Sequence, residues 1–290
     1  MLQFKKIELE DIDIYKKIFS DSKELSCENS FANLLVWQAA YNNMIAVYDD
    51  ILFIKSGQGV TESFRLPLGG DLERGIKLVE EYCQGKKPFF WAQEGPVFEL
   101  FKEKFSDSYT FNENRDAFDY IYLRENLATL SGKKYHSKRN HISTFTKAYN
   151  WEYRPVTSEN IDDIKACSEL WYKENSHRLD RTMLHEKKGI NTMLDNMEKL
   201  EVKGGAIYVD GKAVAFTLGS ATNSLIFDIH IEKALSDYAA AYAVINREFA
   251  KNELSDYKYI NREDDLGHEG LRKAKLSYKP EILLKKYSCR

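Results

Sequence analysis

One order of elements is written twice along this chain, and that repetition excludes most folds. Hydrophobic spacing reads as strand, helix, helix, three strands, helix, strand, helix, and then the same again. In the first pass Leu2–Leu9 reads as a strand, with Asp11–Phe19 and Asn29–Tyr41 as helices. Met44–Tyr48 and Ile51–Lys55 form a hairpin about Asp49-Asp50, and Ser63–Leu68 is the third strand. Gly69-Gly70-Asp71 leads into a helix to Tyr82, Pro88–Ala92 is a strand, and Pro96 opens a helix to Phe105. In the second pass Trp151–Val156 is a strand, and helices run from Ser158 to about Glu174 and from Thr182 to Leu200. Ala206–Val209 and Lys212–Leu218 pair about Asp210-Gly211, whose glycine accepts the positive φ of a tight turn. Leu225–Ile231, a helix Ser236–Lys251, a strand Tyr257–Ile260 and a helix Leu266–Ser277 complete it. The halves share pattern and little residue identity. A strand at Asp116–Leu123 and the segment Asn126–Asn150 connect them without a Pro/Ser/Gly-rich linker. Two units, 1–125 and 126–290, are therefore expected to share an interface and pack rigidly.

Composition closes off several classes of function. With 43% hydrophobic and 30% charged residues over 290 positions, the chain carries enough apolar material for a core. A net charge of −3 gives no global attraction to polyanions, so any such contact needs a local patch. Cys27, Cys83, Cys167 and Cys289 stand far apart without a CxxC pair, against both a zinc knuckle and a disulfide framework. No run approaches ~18 apolar residues, the N-terminus does not read as a signal peptide, and a cytoplasmic location is expected. Walker, GxGxxG, GxSxG and HExxH motifs are absent, so kinase, dehydrogenase and hydrolase readings have no support.

The densest polar stretch is Tyr257–Pro280, where a short strand gives way to an acidic turn and then to a basic amphipathic helix. Strand–helix junctions of this kind are where α/β proteins gather chemistry. Its counterpart in the first half, Pro88–Pro96, has far less charge. Chemistry is expected in the second half.

Three antiparallel strands, a helix, a strand parallel to the third and a further helix is the order of the GNAT acyltransferase core. Its duplication resembles the Fem peptidyl transferases and the C-terminal domain of phosphatidylglycerol lysyltransferases. The wording most like the latter is Leu130–Phe145, LSGKKYHSKRNHISTF, and Asn261–Lys275, NREDDLGHEGLRKAK. The resemblance implies an α/β (α+β) fold of two tandem GNAT-like domains, each a mixed, mostly antiparallel sheet flanked by helices. It also implies that the third and fourth strands of the unit splay, with the donor in the gap and its pyrophosphate on the next helix. The implied donor is acyl-coenzyme A or aminoacyl-tRNA, and the implied acceptor an amine or hydroxyl. Two features depart from the family. The Gln/Arg-x-x-Gly-x-Gly/Ala loop is replaced by Glu232–Tyr242, EKALSDYAAAY, and none of the sequence reads as the lysyltransferases' membrane region. A descendant that binds a nucleotide, peptide or RNA without turnover is the second reading.

Candidate residues follow from that frame. Alternation along Leu225–Ile231 sends Asp228 and His230 to one face and Phe227, Ile229 and Ile231 to the other. Either polar group can take a proton from an attacking amine. Glu263 and Asp264 stand across the gap as further catalytic carboxylates, able to hold a cationic amine together with Asp265. The helix start with Ser236, Ala239, Ala240 and Ala241 can offer free N–H groups to a phosphate, or be a plain cap. Asn261 and Lys275 flank the gap as donor contacts. Lys133, Lys134, Lys138 and Arg139, in a segment without acidic residues, and Arg272 are candidates for tRNA or nucleotide phosphates, or for a solvated helix face. Asp264, Asp265 and His268 match no calcium loop or zinc motif, and no metal is expected.

Overall fold

The computed structural model describes residues 1–19 and 22–290. Its strands are β1 Lys5–Lys6, β2 Met44–Tyr48, β3 Ile51–Ser56, β4 Ser63–Arg65, β5 Phe90–Gln93, β6 Phe111–Glu113 and β7 Asp119–Leu123. They continue as β8 Trp151–Pro155, β9 Lys203–Val209, β10 Lys212–Ala221, β11 Ile226–Ala234, β12 Tyr259–Asn261, β13 Ile282–Leu284 and β14 Lys286–Cys289. These form two seven-stranded mixed sheets. One runs β1-β2-β3-β4-β5-β14-β6, and the other, read from its far edge, β8-β9-β10-β11-β12-β7-β13. The two orders correspond position by position. In each, the parallel pair falls between the fourth and fifth places, β4–β5 and β11–β12. The fold is thus the expected tandem of mixed sheets flanked by helices.

The sheets do not part the chain at residue 125. Strand β7, in the first unit by sequence, lies in the second sheet between β12 and β13, and the terminal β14 lies in the first sheet between β5 and β6. Each half lends a strand to the other, so neither sheet is complete without both. A shared core reinforces the exchange, joining Ile7, Tyr15, Phe31 and Leu34 to Ile164, Ile190, Met193 and Phe216.

Local chemistry sets the main elements. Asp49 (φ 53°), Asp210 (φ 49°) and Gly211 (φ 78°) supply the left-handed turns of the two hairpins. The expected helix Asn29–Tyr41 is two pieces, Phe31–Val36 and Gln38–Tyr41, broken at Trp37. Ser30 accepts the Asn33 N–H at its start, and left-handed Asn42 ends it. The expected strand Leu2–Leu9 contracts to two residues, since Glu8–Asp11 closes into a turn. Strands β6, β13 and β14 are too short and too mixed in polarity to show a period.

Two departures from regular pairing flank β11 in the second sheet. Strand β11 pairs with β12 only from Ile226↔Tyr259 to Asp228↔Asn261, yet β11 runs on to Ala234, so the two part beyond Asp228. On its other side the register with β10 jumps from Gly219↔Ile229 to Leu218↔Ile231, leaving His230 as a bulged residue. Gly219 permits this crowding, because a Cβ there would lie 2.2 Å from the Asp228 carbonyl oxygen. The bulge overturns the simple alternation. Phe227 and Ile229 belong to the core beneath the helix Ala241–Asn252, whereas Ile231 belongs to the core shared between the halves.

Candidate active site

Where β11 and β12 part, a cavity of about 910 Å³ opens. Ile229–Lys233 form one wall and Arg262–Asp264 the other, with Ala239, Ala240, Lys138, His141, Lys275 and Trp37 among the remaining lining residues. The expected splay between the two strands is therefore present, and its walls carry charge of both signs.

The bulge turns His230 toward the first half of the chain. Its Nδ1 lies 3.1 Å from Glu263 Oε1, and its Nε2 lies 2.9 Å from Ser220 Oγ and 3.3 Å from Ser30 Oγ. With both ring nitrogens engaged, His230 is placed to orient Glu263 rather than to meet a substrate directly. Glu263 Oε1 also accepts from Asn33 Nδ2 at 2.9 Å. Its backbone is held left-handed at φ 57°, its N–H donating to Asn261 Oδ1 at 2.7 Å. Such a conformation costs on the order of 1 kcal/mol or more and persists only where neighbours enforce it. Asp264 lines the cavity beside Glu263, and burial pushes its carboxyl up to about 7 against the pull of the Lys286 ammonium.

Several expected residues hold the scaffold instead. Asp265 is buried and lies outside the cavity lining. It accepts from Arg272 Nε (2.9 Å) and Nη2 (2.8 Å) and from the Tyr120 hydroxyl (2.5 Å). Burial opposes its charge, yet those donors and the Gly267 N–H hold it well below the usual carboxylate range. It is not a free amine-binding group. Arg272 is committed to Asp265 and, at 2.7 Å, to Asp116, which removes it from the phosphate-binding set. Asn261 is buried, its amide donating to Leu25 O (3.0 Å) and Asp119 Oδ2 (2.9 Å), so it joins the halves rather than facing the gap. Lys275 lines the cavity, but its ammonium clamps the carbonyls of Arg262 and Asp264, and burial followed by the nearby Arg262 lowers its pKa. Arg139 ties the carbonyls of Leu130 (2.6 Å) and Gly132 (2.7 Å). Lys133 and Lys134 are exposed on the turn ahead of the helix His136–Ala148. Lys138 reaches the cavity, over the Tyr278 ring at 4.0 Å, and burial lowers its pKa.

The expected phosphate cradle is only partly formed. Ala239 and Ala240 line the cavity, Ala241 is buried in the core, and the Ser236 N–H donates to Glu174 Oε2 at 2.9 Å. The helix begins at Ala241, later than expected, with the N–H groups of Tyr242 and Ala243 turned back onto the carbonyls of Ala239 and Ala240. Three of the amides around this helix start, those of Ser236, Tyr242 and Ala243, thus already have acceptors within the chain.

Other site residues escaped the sequence reading. Arg262 lines the cavity, donates to Glu232 Oε1 at 2.7 Å, stacks over Tyr278 at 4.8 Å, and keeps its buried Nη1 without a partner. Its place inside the Asn261–Lys275 phrase was the available signal. Ser30 and Asn33 reach His230 and Glu263 from some 200 positions away, and no local pattern marks them. Asp228 lies behind the cavity, fully buried, beside Cys27, Glu28, Asp119 and Lys286.

The family described as phosphatidylglycerol lysyltransferase, C-terminal, matches residues 19–290. The chain belongs to this family. A conserved protein of unknown function from Bacteroides thetaiotaomicron is 38% identical, with a TM-score of 0.93 over 100% of this chain and 99% of that one. L-PGS from Bacillus licheniformis gives a TM-score of 0.67 at 15% identity, covering 98% of this chain and 92% of that one. FemX gives 0.62 at 8%, covering 99% and 96%. At such identities the last two speak for the fold alone. A curated protein from Mycoplasmoides gallisepticum is 24% identical over 175 residues, 58% of this chain, and the match spans about half (54%) of that protein.

Proposed function

We propose that this chain is an aminoacyl transferase that moves an aminoacyl group from the ester of a charged tRNA to an amine or hydroxyl acceptor. The observation that carries the reading is the two-signed cavity in the β11/β12 splay. Lys138 and Arg262 bring positive charge to its lining, and Glu263 and Asp264 bring carboxylates. An aminoacyl-tRNA end joins a polyanion to a cationic amine, and a cavity of this polarity suits both parts. The carboxylate side of the cavity favours an aminoacyl ester over a simple acyl thioester, since only the former presents a cationic amine beside the reacting carbonyl.

In this reading the acceptor nitrogen or oxygen attacks the ester carbonyl and passes its proton to Asp264. The carbon–oxygen bond to the ribose then breaks, and the proton returns to the departing hydroxyl. A base with a pKa near neutrality is well matched to that exchange. Beyond Asp228, β11 has no strand partner on the β12 side, which leaves backbone amides along Ile229–Lys233 for the developing oxyanion. Glu263, fixed by His230 and Asn33, holds the substrate ammonium.

The test supplies the protein with charged tRNAs, with acetyl-coenzyme A and with uncharged tRNA, and reads thermal shift and product formation. A ligand present at a hundred times its Kd stabilises by about 2.7 kcal/mol. A shift and transfer with a charged tRNA alone is the expected result. Response to acetyl-coenzyme A alone reassigns the donor, and no response to any donor overturns the transferase reading.

A further inference from the structure

Two groups of metal-ligating side chains meet at the seam between the halves, and they differ in what occupies them. Cys27, Glu28 and Asp119 form the first. Lys286 fills it, its Nζ lying 2.6 Å from Asp119 Oδ1, 2.7 Å from Glu28 Oε2 and 3.5 Å from Cys27 Sγ. Cys27, Asp228 and Glu263 form the second, with donor atoms all within 4.8 Å of one another. Here no protein ammonium enters. Asp228 is fully buried, and neither of its carboxylate oxygens has a hydrogen-bond partner. A buried carboxylate without a donor is among the least favourable arrangements a protein can hold, unless a proton or a cation meets it.

His230 flanks this second group. Its Nδ1 lies 3.7 Å from Asp228 Oδ2 and 3.1 Å from Glu263 Oε1. One sulfur, one imidazole nitrogen and two carboxylate oxygens are a donor set that suits Zn²⁺. Tetrahedral bonds of about 2.0–2.3 Å place neighbouring donors about 3.3–3.8 Å apart. The two histidine separations are close to that range, and the Cys27, Asp228 and Glu263 donors, within 4.8 Å of one another, draw closer as the metal binds. The surroundings are those of oriented ligands. Ser220 and Ser30 hold the other histidine nitrogen, and Asn33 holds Glu263. The cavity lined by His230 and Glu263 gives an entry path.

We propose that Cys27, Asp228, His230 and Glu263 form a binding site for a zinc-type divalent cation, which ties the first half of the chain to the second. The thiolate and two carboxylates outweigh the charge of the dication, and binding releases the thiol proton to solvent. Cys27 comes from the first half and the other three donors from the second, so the metal stabilises the seam. The metal draws on Glu263 Oε1, the oxygen that faces His230, and the other carboxylate oxygen serves the ammonium in the transfer reading.

The test treats the whole chain with a chelator, removes the chelator, and titrates Co²⁺ and then Zn²⁺. The expected result is one Co²⁺ per chain with the intense visible bands of tetrahedral cobalt and a thiolate-to-cobalt charge-transfer band. Zn²⁺ should displace the cobalt and raise the Tm. Cys27→Ser should remove the charge-transfer band, and Asp228→Asn should weaken binding at least tenfold. Weak non-stoichiometric binding, octahedral cobalt without a thiolate band, or a band retained in Cys27→Ser overturns the proposal. If a variant fails to fold, X-ray absorption on the zinc-loaded wild-type protein decides. One sulfur with three nitrogen or oxygen ligands supports the site, and any other shell overturns it.

Discussion

The two parallel-strand junctions of this molecule, β4/β5 and β11/β12, sit at the same place in matching sheets and have diverged in what they hold. In the second half the strands part around a cavity with Glu263, Asp264 and Arg262 on its wall. In the first half β4 and β5 pair only at Phe64↔Phe90 and Arg65↔Trp91. The helix start beside them, at Gly95–Val97, is met by the chain's own Glu24, whose carboxylate accepts from Val97 N–H (3.3 Å) and Gln93 Nε2 (3.2 Å). One junction opens its polar groups onto a cavity, and the other closes them on the chain's own Glu24. In the proposed reading the second half works and the first supports it, and the exchange of β7 and β14 joins the two.

The sharpest attack on this contrast is Asp264→Asn. If the second junction is the working one, turnover should fall by about 10²–10⁴-fold, the usual range for losing a general base. The wild-type rate should rise as pH passes through about 7, where Asp264 ionises, and the variant should lose that rise. Stability carries the opposite sign. A carboxyl raised from its ordinary 3.8 to about 7 binds its proton more tightly folded than unfolded. Its stabilising contribution is complete below about pH 4 and disappears as pH climbs to about 7. Urea titrations at about pH 5 and about pH 8 should therefore show Asp264→Asn flattening the wild-type loss of stability across that window.

Next in size is the clamp beneath the site. Arg272→Ala leaves the buried Asp265 with Arg115 (3.4 Å) and Tyr120 as its remaining side-chain donors, and a buried carboxylate that loses its bidentate partner is destabilising. The denaturation midpoint should drop accordingly. At a temperature where the variant is folded, its affinity for nucleic acid should stay at the wild-type level. A selective loss of tRNA affinity would restore Arg272 to the phosphate-binding set.

The reassignment of Arg272 marks the boundary of what the sequence makes legible. Periodicity and turn residues are enough to expose the repeat, and the repeat alone locates the splay. The Asn261–Lys275 phrase points to the junction that opens onto the cavity, because its charge density exceeds that of the matching Pro88–Pro96 stretch. Which of its charges face outward is not legible. Asp265 and Arg272 pair at a separation of seven positions, and Asp264, one residue earlier, faces the cavity. Alternation fails at His230, because a bulge depends on the register of the neighbouring strand, which one strand's sequence does not state. Ser30, Asn33, Asp119 and Lys286 meet the site across 140 or more positions or through exchanged strands, pairings that leave no local period.

A smaller effect is expected from the basic segment. Replacing Lys133, Lys134 and Lys138 by alanine should weaken tRNA binding several-fold. The slope of log K against log salt should become shallower by about 0.7–0.9 for each phosphate that the variant no longer neutralises. Lys138 should dominate, since it alone of the three lines the cavity. An unchanged slope in the triple variant would mean that this face is merely solvated.

The smallest effect tests the supporting half directly. Burial raises the Glu24 carboxyl, partly offset by the Val97 N–H and the Gln93 amide, so its charge brings little stability at neutral pH. Glu24→Gln keeps the shape and an acceptor oxygen for Val97, and the midpoint of denaturation should move by no more than about 1 kcal/mol. Turnover should match the wild type, because Glu24 serves only the closed junction. A tenfold fall in rate with unchanged stability would show that the first junction takes part in the reaction. The two halves would then be partners in one site, with Glu24 controlling access to a second binding gap.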